Sequence, residues 1–228
     1  MIRVAIHQPN FLPWPGYFAK LAQADHFVLL DDAQFSKNNI INRVRILGDA
    51  EPRWLTLPVA AHLGRSIAET FPAKPDWRRS ILALLRNTYG KAAHFKALWP
   101  SLESWFASAP DADLASINMH FIAALAGYLD IATPLHKSSL LDVAGQSDDR
   151  LVAIVRQLAP NGCYLSGKGG AGYQDPAKFS AAGLTLEYYR FAPRAYDQGR
   201  AEFQPGLSVL DPLFHLGRDG CLDLIHGR

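Results

Sequence analysis

Apolar positions along the chain come in two rhythms. Arg3 to Ala5 is a short β-type run and the unbroken apolar Phe27-Val28-Leu29-Leu30 predicts a buried strand, whereas Phe18, Leu21, Ala22 and Ala24 after Tyr17 predict a short helix between them. The first strand and this helix are joined by His7-Gln8-Pro9-Asn10-Phe11-Leu12-Pro13-Trp14-Pro15-Gly16, where the prolines and the glycine exclude regular helix. Asp31-Asp32 close the second strand. A polar loop, Gln34 to Asn42, precedes strands predicted at Arg43 to Leu47 and Trp54 to Val59.

The rhythm then becomes helical over Asp76 to Tyr89, Ala92 to Phe106 and Leu114 to Leu129. Leu82, Leu85 and Tyr89 share one face, and Phe95, Leu98, Leu102 and Trp105 another, so packing accounts for most of these aromatics. Strand and helix alternate again from Leu135. A strand is predicted over Leu135 to Leu141 and a helix capped by Ser147 runs to about Leu158. Next come a strand at Cys163 to Ser166, a helix over Asp175 to Ala182 and a strand over Leu184 to Phe191. The expected fold is α/β, a Rossmann-like, mainly parallel sheet in a single domain over residues 1–228, with a helical subdomain inserted at about 76–130. In such sheets ligands bind outside the carboxyl ends of the strands, where both the His7 loop and Asp31-Asp32 fall.

The chain has 228 residues, 49% hydrophobic and 19% charged, an ordinary globular composition, and its net charge of +2 is too small to favour nucleic acid as a partner. No run approaches the roughly 18 apolar residues of a membrane span, so membrane insertion is not expected. Cys163 and Cys221 lack metal-type spacing, and no N-terminal segment reads as a signal peptide. The expected compartment is the reducing cytoplasm and the expected partner a small-molecule substrate. The oligomeric state is left open.

Within the first loop, His7 is the candidate acid/base, and Gln8, Asn10 and Tyr17 can orient a polar substrate. The alternative is a rigid turn with His7 as a structural residue. The two carboxylates of Asp31-Asp32 should point in different directions, so one of them, taken as Asp32, enters a site, unless it simply pairs with Arg43 or Arg45. Lys37-Asn38-Asn39 and Asn42-Arg43 form a polar cluster in which Arg43 suits bidentate binding of carboxylate or phosphate. Ser166-Gly167-Lys168-Gly169-Gly170-Ala171-Gly172-Tyr173 is either a flexible turn or an anion-binding loop; its spacing is not that of a Walker A motif, and Ser166 lacks a nucleophile-elbow context. Ser208 and Asp211 are spaced as a helix cap and an acidic first turn. His62, His94, His120 and His136 have no mutual metal-ligand spacing and no metal site is expected.

The opening β-loop-α order resembles the start of nucleotidylyltransferases and class I synthetases, although Trp14-Pro15-Gly16-Tyr17 stands where their motif has its second histidine. A wider resemblance begins at Ile6-His7-Gln8-Pro9-Asn10-Phe11-Leu12-Pro13-Trp14-Pro15-Gly16-Tyr17-Phe18. It continues through Ala24-Asp25, Asp31-Asp32, Asn42-Arg43, Trp54-Leu55-Thr56-Leu57-Pro58-Val59, Tyr164-Leu165-Ser166-Gly167, Tyr196-Asp197-Gln198 and Leu207-Ser208-Val209-Leu210-Asp211. In this order the segments resemble the WbqC-like family of bacterial proteins over nearly the whole chain. The chain departs from that pattern at Ala192, where a histidine is common, and at Pro212 and His215.

The resemblance implies a role in O-antigen or other surface-polysaccharide biosynthesis, and a transferase that attaches an acyl or aminoacyl group to a sugar. The residues then take these roles: His7 general acid/base, Asp32 orienting the nucleophile, and Arg43 and Lys168 holding anionic groups. Gln8, Asn10, Tyr17, Asn42, Ser166, Tyr173 and Gln198 would line the substrate. A second reading is an ATP-dependent ligase or nucleotidyl-transfer enzyme, with ATP and magnesium as its cofactor, and a third is a non-catalytic binding protein of a biosynthetic assembly.

Overall fold

The computed structural model describes residues 1–37, 39–60 and 64–228. Two compact units form. The first comprises Met1–Gln8, Ala19–Ala33 and Ile131–Phe191, the second Pro9–Phe18, Gln34–Asp130 and Ala192–Arg228.

The first unit is built on β1 (Arg3–His7), β2 (His26–Leu29), β7 (Leu135–Lys137), β8 (Cys163–Gly167) and β9 (Thr185–Tyr189), all parallel, in the order β7-β2-β1-β8-β9. Apolar runs make β1, β2 and β8 because covered parallel strands bury both faces. Val4, Ile6, Val28 and Tyr164 pack with Ile154 and Val155 of α5 (Ser147–Leu158) and Phe179 of α6 (Pro176–Ala181). The expected Rossmann-like α/β fold is thus observed, its central sheet wholly parallel.

The predicted strand over Leu135 to Leu141 stops at Lys137. Ser138–Leu140 instead forms a 3-10 turn, closed by Leu141 N–H donating to the Ser138 carbonyl at 3.2 Å, which turns Ser138 and Ser139 toward the end of β2. Ser147 begins α5 rather than capping it, and the helix has no side-chain cap. Asp148 of its first turn accepts the backbone N–H of Asp175 at 2.8 Å instead.

In the second unit β3 (Arg43–Ile46) pairs antiparallel with β4 (Arg53–Thr56), and β5 (Val59–Ala60) with β6 (Phe71–Pro72). The predicted Trp54-to-Val59 strand divides at Leu57-Pro58, where the Asn42 side chain donates to the Leu57 carbonyl and Pro58 has no N–H to give. β3 ends before Leu47, whose N–H is taken by the Tyr89 hydroxyl at 3.1 Å. Three helices follow, α2 (Trp77–Tyr89), α3 (Phe95–Ser108) and α4 (Leu114–Tyr128), and α7 (Leu210–His226) ends the chain. The buried face of α3 is Leu98, Trp99, Leu102 and Phe106, so Leu98 and Leu102 are as predicted while Trp99 and Phe106 take the places of Phe95 and Trp105. α7 breaks at Gly217, at φ +75°, where a Cβ would meet the His94 ring at 2.7 Å. Phe11 of the first loop is a core residue here, edge-on to Phe121 at 5.6 Å and to Trp77 at 6.5 Å.

Candidate functional site

A doubly wound sheet has one place where consecutive connections leave in opposite directions, and the crevice above it is where ligands bind. In the first unit that place lies between β1 and β8. β1 stays paired with β2 as far as His7–Leu29, and β8 with β9 as far as Gly167–Tyr189, but β1 and β8 pair only through Ala5–Leu165. Both strands run two residues beyond their last shared pair, so the sheet opens between them.

His7 stands at the lip of this opening, half-buried. Its Nδ1 lies 3.0 Å from the Gln8 carbonyl, which only accepts, so Nδ1 carries the proton and Nε2 the lone pair. Burial, then the nearby Lys20 charge, hold its pKa down to about 3 against the raising effect of the Gln8 bond, and the ring is neutral at neutral pH. Lys20, on α1 (Pro15–Ala22), is 4% exposed and donates to the Ile6 carbonyl at 3.0 Å; burial brings its amine down to about 7. The sequence reading missed it because a lysine on a short helix ordinarily faces water. Its neighbours Phe18, Ala19, Leu21 and Ala22 were the available signal, since they leave no polar face for it.

Asp31 and Asp32 follow β2. Their side chains do not diverge as strand alternation would require, because they lie in a turn. Ser138 Oγ stands 2.6 Å from Asp32 Oδ1 and 3.1 Å from Asp31 Oδ1, while Ser139 gives Asp31 both its N–H at 3.0 Å and its hydroxyl at 2.6 Å. The ion-pair partner of Asp32 is Arg150 of α5, in place of the expected Arg43 or Arg45. Burial raises the Asp32 carboxyl, but hydrogen bonds from Arg150 and Ser138 outweigh it and hold the pKa below its ordinary value.

Beyond β8 the glycine-rich segment forms a 3-10 turn, Lys168–Gly172. Ser166 is buried and its hydroxyl donates to Gln174 Oε1 at 2.9 Å. Gly170 is required here, since a Cβ would come within 2.5 Å of Gln174 Oε1 and closer still to Ser166 Oγ. Lys168 is exposed, and so is Tyr173, at 75%. The first unit therefore brings His7, Gln8, Asp32, Ser166, Lys168 and Tyr173 to the carboxyl ends of its parallel strands.

The remaining predicted residues belong to the second unit. Asn10 is 1% exposed and neither atom of its amide has a hydrogen-bond partner, an uncommon state for a buried polar group. Asn118 supports the chain on either side of this region, donating to the Pro9 and Ile41 carbonyls at 2.8 Å each. Asn42 donates to the Leu57 carbonyl at 2.9 Å, and the Arg43 guanidinium lies 4.2 Å from the centre of the Trp54 ring. Tyr17 is buried, which pushes its phenol well above the ordinary value. Asn38 and His62 lie outside the described residues.

Gln198 and Asp211 form a hub of the second unit. Asp211 is fully buried and accepts from Tyr89 at 3.0 Å, Tyr196 at 2.6 Å and Gln198 Nε2 at 2.9 Å. Gln198 also donates to the Gln204 carbonyl at 3.1 Å and accepts the Gln204 N–H at 2.8 Å, so both ends of its amide are engaged within the protein. Asp211 occupies the first turn of α7 as predicted, but its carboxylate serves these side chains, while Ser208 Oγ accepts the Leu210 N–H and donates to the Leu12 carbonyl. An open cleft of about 370 Å³ beside the hub is lined by Lys91, Asp197, Gln198, Arg200 and His215 among others.

Among the described residues no helix is long and apolar enough to cross a membrane. The model of the WbqC-like protein family matches residues 8–222. A Mycobacterium tuberculosis (strain ATCC 25618 / H37Rv) protein, "Uncharacterized protein Rv1507c", is 31% identical over 222 residues, covering 96% of each chain.

Proposed function

Because the chain belongs to the WbqC-like protein family, we propose that it is a transferase placing a small acyl or aminoacyl group on a polar acceptor, an activated amino sugar of bacterial surface-polysaccharide biosynthesis in the cytoplasm. The observation that supports this most is the parting of β1 from β8 with His7, protonated on Nδ1, at its lip. The acceptor nitrogen or oxygen attacks the donor carbonyl carbon and its proton passes to Nε2. As the bond from that carbon to the carrier breaks, the proton passes on to the departing group. Asp32, fixed by Ser138 and Arg150, orients the acceptor, and Lys168 meets anionic groups.

The test is thermal shift with a nucleotide sugar, an acyl-coenzyme A, amino acids and ATP with magnesium, followed by a transfer assay on the ligands that bind. Stabilisation by a sugar nucleotide or an acyl donor, with turnover reduced at least 100-fold in His7→Ala, is the expected result. Full turnover in His7→Ala removes the acid/base assignment.

A second reading, ATP-dependent ligation or nucleotidyl transfer, is supported by the strand order. Numbered along the chain, the parallel strands stand 3-2-1-4-5, the order of sheets that bind nucleotides. Magnesium-dependent ATP binding in calorimetry would favour it.

A further inference from the structure

Hydrogen bonds along β1 alternate between its two neighbours. His7 and Arg3 present their carbonyls to the β2 side, where Leu30 and Asp25 donate at 2.9 and 2.8 Å, and Ile2 presents its carbonyl to β8, where Cys163 donates at 2.8 Å. By this alternation the Ile6 carbonyl also faces β8, and a continued ladder would give it the N–H of Gly167. Lys20 Nζ takes that acceptor instead. The amine therefore stands in the opening between the strands, and the same alternation directs the Gly167 N–H into it.

An ammonium has three donors. Among the described residues Lys20 has one acceptor, the Ile6 carbonyl, and no carboxylate within ion-pair distance; the Phe27 ring, 5.5 Å away, is its other cation-binding neighbour. Buried charges are ordinarily paired, because an uncompensated ion in a protein interior is costly. Asp31 and Asp32, the acidic side chains that follow the adjacent strand, are engaged by Ser138, Ser139 and Arg150.

We propose that Lys20 is the cation of an anion-binding site in the opening between β1 and β8, taking a phosphate or carboxylate group of the substrate together with the Gly167 N–H. This rests on the reading that substrate binds at the carboxyl ends of the strands, and not on which group is transferred. Anion binding supplies the acceptors Lys20 lacks and offsets its charge, which after burial is the second cause that lowers the proton affinity of the neighbouring His7.

The experiment is a pH titration of the intact chain labelled with 13C at lysine Cε, with Lys20 assigned by the resonance missing from Lys20→Arg, in the absence and presence of pyrophosphate, inorganic phosphate or acetate. Lys20 should titrate far below the other lysines and move up by at least one pH unit with a saturating anion, a tenfold coupling between proton and anion. Response to pyrophosphate or phosphate identifies a phosphorylated ligand, and response to acetate a carboxylate. A Lys20 midpoint unmoved by all three, or moved no more than the other lysines, overturns the site. Turnover in the transfer assay with an unresponsive Lys20 would leave the transferase reading standing alone, whereas a responsive Lys20 with no transfer from any donor would leave only the anion site.

Discussion

At the carboxyl ends of the parallel strands a buried lysine has one acceptor, whereas in the second unit a buried aspartate is met by three donors. Asp211 binds parts of the chain far apart in sequence: Tyr89 of α2, Tyr196 and Gln198 of the segment before α7, and through Gln198 the backbone of Gln204, whose side-chain amide reaches the Ala50 carbonyl and the Gly48 N–H. A polar group so fully satisfied stabilises one arrangement and has nothing left to offer a ligand. Lys20 and the orphaned amide of Asn10 are the opposite case. Their unmet hydrogen-bonding capacity costs stability, and it is the kind of cost proteins carry where something else is to bind.

Asp211→Ala should have the largest effect, since each buried donor it leaves unsatisfied costs roughly 1–3 kcal/mol. Urea unfolding should show a loss of at least about 3 kcal/mol, and a loss near zero would remove the hub from the account. Gly170→Ala comes next, at about 1–3 kcal/mol, because the methyl group must displace Ser166 and Gln174. The two asparagines sharpen the contrast further. Asn118→Ala forfeits two bonds to buried carbonyls and should cost about 2 kcal/mol, while Asn10→Ala forfeits none and should cost visibly less in the same assay. Equal losses would mean that satisfaction does not distinguish them.

The remaining predictions concern pH dependence. His7 titrates near 3 in the fold against 6.5 ordinarily, so the unfolded chain takes up the proton first and stability falls as pH drops from 6.5 toward 3. For Lys20 the unfolded chain holds its proton longer, and stability rises from about pH 7 toward 10.5. Melting temperature against pH should flatten in the first window for His7→Gln and in the second for Lys20→Met. Unchanged slopes would show that these groups are not buried as described.

The sheet was legible because its central strands carry short apolar runs and its helices carry one apolar face. The strand-end placement of His7, Asp32 and the Ser166-to-Tyr173 segment followed from that order alone. What was not legible depends on contacts between distant positions. Nothing near Asp32 in sequence announces Arg150, 118 residues away, and nothing near Asp211 announces Tyr89. Gln198 looked like a ligand contact because a polar residue in an aromatic motif gives no sign of whether its amide is already taken. Lys20 was hidden for the converse reason: its residue type suggested water, and only the parting of β1 from β8 shows where its amine goes.

Amide hydrogen exchange with and without a uridine-diphosphate amino sugar and an acyl-coenzyme A tests the placement of the site most directly. Protection concentrated at Ile6 to Gln8 and Gly167 to Tyr173, with Tyr196 to Asp211 unchanged, is the predicted result. Protection confined to Tyr196 to Asp211 and the cleft beside it would contradict the account and move the site to the second unit.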